Sequence, residues 1–526
     1  MFKEMEKNIL KNPQREIIYF LGNKITNQEL YMYIGGFAQR LKDLGVKSGD
    51  VVTIALPNIP QGIIAFYAVN KIGGICNMVH PKSPVKKTLA MMKESSSKVA
   101  ILIDEFYLQD KAEYDSAENL YIFSDISSFL PKIAKTFYRL KANVKKCDLK
   151  GELFFGENPK LSPAKVETHN FEKNAPAIYL HSSGTIGMPK TVMLSCVNMN
   201  FVAINGIDLL PNGDTSTRGM LAVLPMFHGF GLCMTIHTPI IHNMQTVLIP
   251  DFSPKAVVSA MKKTTVSVMC GVPKMYEKLA RYDGFADKDI LKNVEVAFCG
   301  GEAVPDELYE KFNLIMKNAG SKCMLFEGYG LTETVTVCTV NTAKENKKGS
   351  CGKAIPGARL KIVDESGNEV PRGTLGKITI SAPSVMVGYL QGGDIVSRGY
   401  LETGDVGWVD ADNFLYFKQR EKHVINVAGF NVYPTEIVEI AKKFPGVVHC
   451  VVLKGQDEKG EFAKLVVQMS KNADMTDFEK TMRAYLAVYL ESWCVPKQIV
   501  LFDGEMPLNM VGKVDLRKVE EILNEK

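Results

Sequence analysis

The chain has 526 residues, which exceeds the usual size of one compact core, so we expect two or more domains. Apolar residues make up 46% of the composition, a share that is typical of globular proteins and excludes general disorder. The net charge of +5 is mild: it suits anionic small molecules and lies far below the basic excess of nucleic-acid-binding proteins.

The cysteines and the apolar runs bear on the cellular compartment. The 11 cysteines are odd in number and include no C-x-x-C pair, which favours a reducing, cytoplasmic setting over a disulfide framework or a zinc site. The N-terminal residues carry charges throughout and do not have the pattern of a signal peptide. Apolar runs stay below the roughly 18 residues of a membrane span, so we expect no transmembrane segment.

The first predicted elements alternate strands with helices. Val51 to Leu56 predicts a buried strand, and Gly62 to Ile72 has apolar residues at helical spacing before a pair of glycines that can end the helix. Val99 to Ile103 and Val266 to Met269 predict further strands. This alternation predicts a layered α/β domain with a mostly parallel sheet.

A basic stretch, Pro131 to Lys150, interrupts this part of the chain. It places lysines and an arginine around a few apolar residues such as Ile133. The first interpretation is a solvated surface helix, and the alternative is a weak contact with an anionic membrane surface.

The pattern changes in the last third of the chain. Leu360 to Val363 and Gly376 to Ile380 alternate with period two around a turn, which predicts an antiparallel or β-barrel-like subdomain. After about Lys418 we expect a small α+β domain. Its predicted strands and helices are His449 to Leu453, Lys464 to Val467, Phe478 to Leu490, Gln498 to Phe502 and Leu516 to Leu523.

One segment, Tyr179 to Lys190, has the composition of a phosphate-binding loop. It follows a predicted strand, Pro176 to Leu180, and combines glycines, hydroxyl side chains and a lysine. Glycines let backbone N–H groups converge on phosphate oxygens, and lysine adds positive charge. The spacing differs from that of a Walker A loop. Taken alone, the segment is equally compatible with a polar surface turn.

Further motifs follow in a fixed order. They are Leu224 to Gly229, Cys299 to Ala303, Phe326 to Thr334, Thr403 to Asp405, Arg420 to Lys422, Gly429 to Ile437 and Pro507 to Lys513. Together with the phosphate loop they resemble the adenylate-forming superfamily over nearly the whole chain, and most of all its acyl-CoA synthetases of the fatty acid–CoA ligase type. The superfamily also includes adenylation domains of peptide synthetases and luciferases.

The resemblance implies both a fold and an activity. The fold is α/β, with an AMP-binding N-terminal domain over residues 1–420, made of layered α/β subdomains and the β-barrel-like subdomain. A small mobile C-terminal domain over residues 421–526 would carry the catalytic lysine. The activity is that of a ligase that uses ATP and Mg²⁺ to convert a carboxylic acid to acyl-AMP and then transfers the acyl group to CoA.

The resemblance also implies which residues contact the triphosphate. The loop would lie over the β- and γ-phosphates through Ser182, Ser183, Gly184, Thr185, Gly187 and Lys190. Thr332 would donate to the α-phosphate. Glu333 and Thr185 would hold Mg²⁺, a hard cation that prefers oxygen ligands.

The nucleoside would be bound by other motifs of the same set. Tyr329 would lie against the adenine, and Gly328 and Gly330 would allow close approach to the backbone. The opposite wall would be formed by Gly301, Glu302 and Ala303. Asp405 would accept hydrogen bonds from the ribose hydroxyls, with assistance from Arg420.

Four further residues are implied to act in catalysis and in the exchange between half-reactions. Lys513 would bridge the attacking carboxylate and the α-phosphate, where negative charge builds up. Lys422 would be the hinge about which the small domain turns, and Gly429 and Phe430 would border the channel for CoA.

The acyl pocket is implied by the resemblance to include Phe227, His228, Gly300, Gly301 and Gly328. His228 would separate the pocket from the thiol channel and take part in catalysis; the alternative is a packed core histidine. Leu224 to Leu232 contains no acidic residue that could pair with a substrate ammonium. We therefore expect an apolar acid, a medium- or long-chain fatty acid first and an aryl acid second.

Two other functions stay open at this point. An adenylation enzyme could load the acyl group onto a carrier-protein phosphopantetheine in place of CoA. A catalytically weak nucleotide-binding scaffold is suggested by Ile186, because the family usually has a serine or threonine there. The length of the acid and the oligomeric state are not determined by these motifs.

Overall fold

The structure is a computed structural model, and it describes residues 1–142, 149–155, 166–182, 190–393, 395–427, 430–458, 460–470, 473, 476–508 and 514–524. The strands in chain order are β1 Glu16–Phe20, β2 Asn23–Thr26, β3 Val51–Ala55, β4 Ile75–Met78, β5 Val99–Ile103, β6 Leu120–Ser124, β7 Glu152–Leu153, β8 Pro176–His181, β9 Thr191–Ser195, β10 Gly219–Ala222, β11 Gln245–Leu248, β12 Val268–Gly271, β13 Val296–Cys299, β14 Leu325–Gly330, β15 Val337–Val340, β16 Lys353–Ala354, β17 Arg359–Val363, β18 Gly376–Ser381, β19 Gly388–Tyr389, β20 Val396–Ser397, β21 Tyr400–Val409, β22 Leu415–Arg420, β23 Ile425–Val427, β24 Phe430–Val432, β25 Val447–Asp457, β26 Gly460–Met469 and β27 Gln498–Leu501.

The helices are interleaved with these strands. The α-helices are α1 Phe2–Ile9, α2 Asn27–Asp43, α3 Pro60–Lys71, α4 Val85–Glu94, α5 Asp104–Gln109, α6 Lys111–Asp115, α7 Lys132–Ala142, α8 Cys196–Asn205, α9 Thr238–Ile241, α10 Pro254–Met261, α11 Pro273–Ala280, α12 Lys288–Leu291, α13 Asp306–Asn318, α14 Pro434–Ala441, α15 Phe478–Tyr489 and α16 Leu516–Asn524. A π-helix spans Phe230–His237, and two short 3-10 turns that matter below span Thr332–Thr334 and Glu421–His423.

The chain forms two compact units. The first consists of Met1–Arg359 with Ile380–Leu401, and the second of Leu360–Thr379 with Glu402–Lys526. These units are defined by the contacts within each of them. The domain boundary predicted at residue 420 marks the place where the small domain would turn, and it stays a prediction.

Two large sheets organise the first unit. One has the strand order β16-β15-β14-β13-β12-β10-β11-β1-β2, and the other has the order β19-β9-β8-β4-β3-β5-β6-β7. Their central strands are parallel, from β1 through β14 in one sheet and from β8 through β7 in the other. This confirms the predicted α/β class, and the buried apolar runs explain it, since parallel strands are covered on both faces.

The two sheets share one core. The largest hydrophobic cluster contains side chains from strands of both sheets, such as Ile54 and Val268. Helix α3 is buried along its whole length and contributes to the same cluster. Gly62 in this helix lies against Met226, where a β-carbon would come within 2.4 Å of the thioether sulfur. A larger residue at this position would require the Met226 side chain to move.

The second unit contains smaller sheets. Strands β21 and β22 pair antiparallel, β23 pairs with β24, and β25, β26 and β27 form a three-stranded sheet against which α14, α15 and α16 pack. The predicted period-two strands are present as β17 and β18. The turn predicted after Val363 is also present, and in it the Asp364 carboxylate accepts from the backbone N–H groups of Ser366 and Asn368.

The basic stretch begins as a helix, α7, as predicted, and Ile133 on it is 77% exposed. Across the described residues, no helix has both the length and the apolar character needed to cross a membrane.

Candidate functional site

A pocket of about 180 Å³ lies in the first unit where the parallel strands β12, β13 and β14 end. Ligand sites of open α/β sheets lie at this edge, because the loops leaving the strands diverge there. One wall consists of strand ends and the glycines that follow them: Cys270, Phe298, Cys299, Gly300, Gly301, Gly328, Tyr329 and Gly330. The facing side is formed by Leu209, His228, Gly229, Phe230 and Met234, and the rest by residues between Leu331 and Val340.

Two glycines of the first wall have different steric roles. A β-carbon on Gly330 would lie 1.6 Å from the Thr336 carbonyl oxygen, so only glycine lets the chain return this closely from β14 to β15. A β-carbon on Gly300 would lie 3.5 Å from the Phe230 ring, an ordinary contact. Gly300 therefore leaves open a volume that a side chain could occupy.

The predicted acyl-pocket residues are only partly brought together. His228, Gly300, Gly301 and Gly328 line the pocket, but Phe227 is not among its described lining residues. The Phe227 ring instead packs between His80 and His228, with centroid distances of 4.5 and 4.8 Å.

His228 is exposed and lines the pocket, and the protein around it desolvates the imidazole. This desolvation lowers the pKa of His228, and the positive charge that His80 can carry lowers it further. The imidazole is therefore neutral at pH 7, and a neutral ring suits a partition beside an apolar pocket better than a cation does.

The sequence motifs missed several residues of the pocket. Leu209, Met234, Cys270, Phe298 and Val340 line it but belong to no motif, and in the sequence they look like ordinary core residues. The π-helix was also missed, although such segments occur often at functional sites. At its C-terminal end the hydroxyl of Thr238 donates to the carbonyl of Cys233 at 2.9 Å.

The predicted metal and phosphate residues Thr332 and Glu333 form a 3-10 turn at the edge of the pocket. Thr332 lines the pocket, and Glu333 Oε1 accepts a hydrogen bond from the Tyr389 hydroxyl at 2.7 Å. The turn ends at Val335, whose φ of +69° is strained for a β-branched residue. Its carbonyl lies so close to Gly229 that a β-carbon there would come within 1.7 Å.

The described ends of the predicted phosphate loop lie side by side. The Ser182 N–H donates to the Lys190 carbonyl at 3.0 Å, which closes the base of the loop between β8 and β9. The predicted loop residues Ser183, Gly184, Thr185 and Gly187 lie outside the described residues, as do Ile186, Gly429 and Lys513.

His181, the last residue of β8, fixes the same end of the loop. Its Nε2 lies 2.7 Å from Asn77 Oδ1 and its Nδ1 lies 3.2 Å from Thr191 Oγ1. Burial lowers the pKa of His181 to about 4, and the charge of Lys87 acts in the same direction. The neutral ring donates from Nε2 and accepts at Nδ1, so it is a structural support of the loop stem.

The residues predicted to form the nucleoside wall all lie in the first unit. Gly301 has a φ of +82° and lines the pocket together with Gly328, Tyr329 and Gly330, whereas Glu302 and Ala303 follow on the surface side. Gly301 thus turns the chain out of β13, and the positive φ explains why glycine occupies the position.

Asp405 and Arg420 are brought together in the second unit. They are directly opposite each other in the pairing of β21 with β22, and Arg420 Nε lies 3.0 Å from Asp405 Oδ1. The Asp405 side chain is only 1% exposed, whereas that of Arg420 is 48% exposed. Cross-strand register therefore fixes this ion pair.

Lys422 follows in the 3-10 turn Glu421–His423. Partial burial lowers the pKa of Lys422, and the neighbouring charges of Arg420 and Arg517 lower it further against the opposing effect of Asp405. Lys377 binds Glu421 at 2.8 Å and so attaches this turn to β18.

Phe430 stacks on Trp493, with ring centroids 4.5 Å apart and 17° between the planes, and it is 50% exposed. The other tryptophan, Trp408, stacks on Tyr416 at 4.9 Å. Both pairs lie in the second unit.

The donor atoms near Glu333 suit Mg²⁺. Among the described residues no group of three His, Cys, Asp or Glu side chains is placed to hold a metal ion. Mg²⁺ commonly binds through one or two carboxylates and completes its shell with water and substrate phosphates. A single carboxylate next to a predicted triphosphate site therefore fits this cation.

An α/β fold with a glycine-lined pocket at the strand ends and a carboxylate turn beside it agrees with the nucleotide-dependent enzyme expected from the sequence. The family model for AMP-binding enzymes matches residues 5–390, and the chain belongs to this family.

Curated relatives are similar to the chain over most of its length. A long-chain-fatty-acid–CoA ligase of Bacillus subtilis is 27% identical and covers 97% of this chain and 92% of its own. A probable 4-coumarate–CoA ligase 3 of Dictyostelium discoideum is 27% identical over 92% of this chain and 88% of its own. A feruloyl-CoA synthase of Amycolatopsis is 26% identical over 96% and 95%.

Solved structures share the fold. ATP-bound MatB of Rhodopseudomonas palustris superimposes with a TM-score of 0.82 at 22% identity, covering 99% of this chain and 98% of its own. The O-succinylbenzoate coenzyme A synthetase of Bacillus subtilis with AMP gives a TM-score of 0.79 at 22% identity, covering 98% of each chain. The predicted resemblance to adenylate-forming enzymes is thereby confirmed.

Proposed function

We propose that the chain is an ATP-dependent carboxylate–CoA ligase. In the first half-reaction a carboxylate oxygen attacks the α-phosphorus of ATP, the bond to the β-phosphate oxygen breaks, and pyrophosphate leaves. In the second, the CoA sulfur attacks the acyl carbonyl, AMP leaves, and the thiol proton passes to solvent or to the departing phosphate. Family membership and the names of the relatives support this reaction.

The observation that carries the proposal is an apolar pocket that opens beside Thr332 and Glu333. A carboxylate placed near Thr332 would meet the α-phosphate contact expected of that residue, and its tail could contact the apolar residues that line the same pocket. No lysine, arginine, aspartate or glutamate is among the described lining residues. An amino acid or a dicarboxylic acid would leave its second charge unpaired there, at a high desolvation cost.

The pocket therefore favours a medium- or long-chain fatty acid, with an aryl acid as the second choice. Each buried methylene contributes about 0.8 kcal/mol of transfer free energy, so activity should rise with chain length until the pocket is full. Relatives named for fatty acids and for aromatic acids keep both classes in the proposal.

The protein groups act mainly by positioning and electrostatics. Lys513 would neutralise the charge shared by the attacking carboxylate and the α-phosphate. Asp405 and Arg420 would hold the ribose, and the loop between Ser182 and Lys190 would cover the terminal phosphates. Glu333 would hold Mg²⁺, and the bound cation would supply positive charge against the phosphates of ATP.

The test is ATP–pyrophosphate exchange with straight-chain acids from two to about eighteen carbons, with benzoate, a cinnamate and amino acids beside them. We expect exchange to increase with chain length up to a maximum and CoA to convert the adenylate to a thioester. A profile that falls from acetate upward, or a preference for an amino acid, would contradict the proposal.

The second candidate is loading of a carrier-protein phosphopantetheine, which needs the same pocket and ATP site. It is separated from the first by supplying preformed acyl-adenylate with either CoA or a phosphopantetheinyl carrier protein. The third candidate, a nucleotide-binding scaffold, rests on Ile186 and predicts ATP binding without pyrophosphate exchange.

The setting of the enzyme remains part of the proposal. None of the ten described cysteines is in a disulfide and nine of them are buried, which agrees with the reducing, cytoplasmic compartment expected from the sequence. Exposed Ile133 on the basic helix α7 is compatible with weak contact to an anionic membrane surface, where amphiphilic acids collect.

A further inference from the structure

Tyr389 contacts two residues that come from different motifs. Its hydroxyl donates to Glu333 Oε1 at 2.7 Å, and the Lys190 ammonium lies 4.5 Å from the centre of its ring. The proposed function assigns Glu333 to Mg²⁺ and Lys190 to the phosphates. One tyrosine thus touches both groups that would meet the charged end of ATP.

The backbone around Tyr389 is attached on both sides. Strand β19 pairs antiparallel with β9, the strand that follows Lys190, and places Tyr389 opposite Val192. The Met386 N–H, three residues earlier, donates to the Glu333 carbonyl at 2.8 Å. Main-chain hydrogen bonds of this segment therefore connect β9 with the turn that carries Glu333. The Tyr389 side chain connects the same two parts of the chain through its own contacts.

The tyrosine itself is well fixed. It is 8% exposed, so packing as well as hydrogen bonding limits its rotamer. A hydroxyl donor on Oε1 leaves Oε2 of Glu333 as the oxygen that can face a cation. Partners of this kind orient a ligating carboxylate and are often worth ten- to a hundredfold in metal affinity.

The ring acts on Lys190 in a different way. An aromatic face attracts an ammonium through its quadrupole without neutralising its charge. The Lys190 head group is then held over the Tyr389 ring with its N–H donors available for phosphate oxygens. A carboxylate in the same place would bind the lysine but would cancel the charge that phosphate recognition needs.

We propose that Tyr389 is a positioning residue for MgATP, which orients Glu333 through its hydroxyl and Lys190 through its ring. This inference rests on the proposed function, because it takes the roles of Glu333 and Lys190 from it. The two contacts can be removed separately: Tyr389→Phe loses the hydroxyl and keeps the ring, whereas Tyr389→Leu loses both.

The experiment measures ATP binding by calorimetry at increasing Mg²⁺ concentration, without an acid substrate, and pyrophosphate exchange in parallel. For Tyr389→Phe we expect the Mg²⁺ concentration at half-maximal binding to rise about tenfold, with little change in ATP affinity at saturating Mg²⁺. Tyr389→Leu should in addition weaken ATP binding at saturating Mg²⁺, because Lys190 is released.

Tyr121→Phe is the matched control. It removes another buried tyrosine hydroxyl, which donates to the Tyr114 carbonyl at 2.8 Å in strand β6 of the same unit. Melting of each variant without ligand separates a loss of fold from a loss of positioning. The double variant Tyr389→Phe with Glu333→Gln should bind Mg²⁺ no worse than Glu333→Gln alone, since the hydroxyl acts through that carboxylate.

The outcomes distinguish this inference from the function it rests on. If Glu333→Gln shifts the Mg²⁺ dependence and Tyr389→Phe behaves like Tyr121→Phe, the role of Tyr389 is wrong and that of Glu333 stands. If the two changes add in the double variant, the tyrosine acts by another route and the inference is overturned. If Glu333→Gln leaves the Mg²⁺ dependence unchanged, the metal assignment in the proposed function fails, and the inference fails with it.

Discussion

Gly300 is the residue at which the size of the acyl pocket can be tested most directly. A β-carbon there would make ordinary contacts, 3.4 Å to the Gly328 carbonyl oxygen and 3.5 Å to the Phe230 ring, so Gly300→Ala should fold. The added methyl group occupies pocket volume. We expect kcat/KM for the longest accepted acid to fall about fourfold, the equivalent of one lost methylene, and short acids to be spared.

Met234→Ala is the opposite change and should extend the accepted chain length, because Met234 lines the same pocket. The measurement is kcat/KM for each variant across straight-chain acids. Length profiles that coincide with the wild type for both variants would mean that the acyl chain binds elsewhere.

Lys513 is predicted from its motif alone, since it lies outside the described residues. Lys513→Ala should lower pyrophosphate exchange by orders of magnitude, because the charge on the pentavalent phosphorus loses its counter-charge. Thioester formation from supplied acyl-adenylate should be largely spared. Both half-reactions are measured on one preparation, and equal losses in the two would rule out the assigned role.

At the scale of elements, the π-helix depends on a buried polar network. The Tyr67 hydroxyl lies 2.8 Å from His237 Nδ1, and His237 Nε2 lies 2.9 Å from Asn200 Oδ1. Burial keeps the pKa of His237 well below its ordinary value, so the ring is neutral and accepts at Nδ1 from the tyrosine.

Tyr67→Phe should therefore leave a buried acceptor unpaired and lower the free energy of unfolding by about 1–3 kcal/mol. Denaturant unfolding of the first unit measures this loss. Tyr489→Phe is the control, because Tyr489 is 62% exposed and its hydroxyl can be solvated. Equal stability of the two variants would show that the network does not hold the π-helix.

The 3-10 turn Glu421–His423 is the element in which the hinge is predicted. Lys422→Pro fixes φ at the predicted pivot and leaves every proposed adenylation residue in place. If proline traps the adenylating arrangement, pyrophosphate exchange should survive better than thioester formation. Lys422→Ala serves as the comparison, and wild-type rates of both steps in the proline variant would exclude a hinge at this residue.

For the whole molecule, two buried groups should give opposite contributions to stability against pH. His181 has a pKa lowered to about 4 by burial, so its contribution is complete above the unfolded value of 6.5 and is lost as the pH falls towards 4. Asp104 has a pKa raised to about 7 by burial and by Asp125, so its contribution is present below the unfolded value of 3.8 and is lost as the pH rises towards 7.

Between about pH 4.5 and 6.5, each group contributes at most about 1.4 kcal/mol per pH unit to the slope of the free energy of unfolding against pH. His181→Gln should decrease the slope, and Asp104→Asn should increase it. Denaturant unfolding at several pH values measures both, with exposed His169→Gln as control. Slopes that move in the same direction for the two variants would refute the assignment.

The sequence predicts best those strands and site residues that can be recognised from a short stretch of the chain. Strands such as Val51–Ala55 and Val99–Ile103 are contiguous apolar runs, and they were located to within a residue or so. The motif residues His228, Gly300, Gly301 and Gly328 do meet in one pocket, and their role in binding the acyl group stays a prediction. The backbone next to each of these positions restricts which residue type fits there. Such positions can therefore be recognised from a short stretch of sequence.

The rest of the site arises from long-range packing. Met234 and Val340 meet in the pocket although more than a hundred positions separate them, and each is an unremarkable apolar residue in its own segment. The family resemblance predicts Phe227 in the pocket, but Phe227 is not among the described lining residues and its ring packs against His80. Tyr389 was missed because its two partners come from distant segments.

The two aromatic stacks in the second unit make the protein a convenient subject for fluorescence. The chain has only two tryptophans, Trp408 and Trp493, and both belong to that unit, in contact with Tyr416 and Phe430 respectively. Fluorescence excited at a wavelength that only tryptophan absorbs therefore reports on the unit that holds Asp405, Arg420 and Lys422. The larger unit contributes no tryptophan emission. A stopped-flow trace on unlabelled enzyme would follow events in the small unit alone, and a tryptophan introduced into the larger unit would add a second, separable signal.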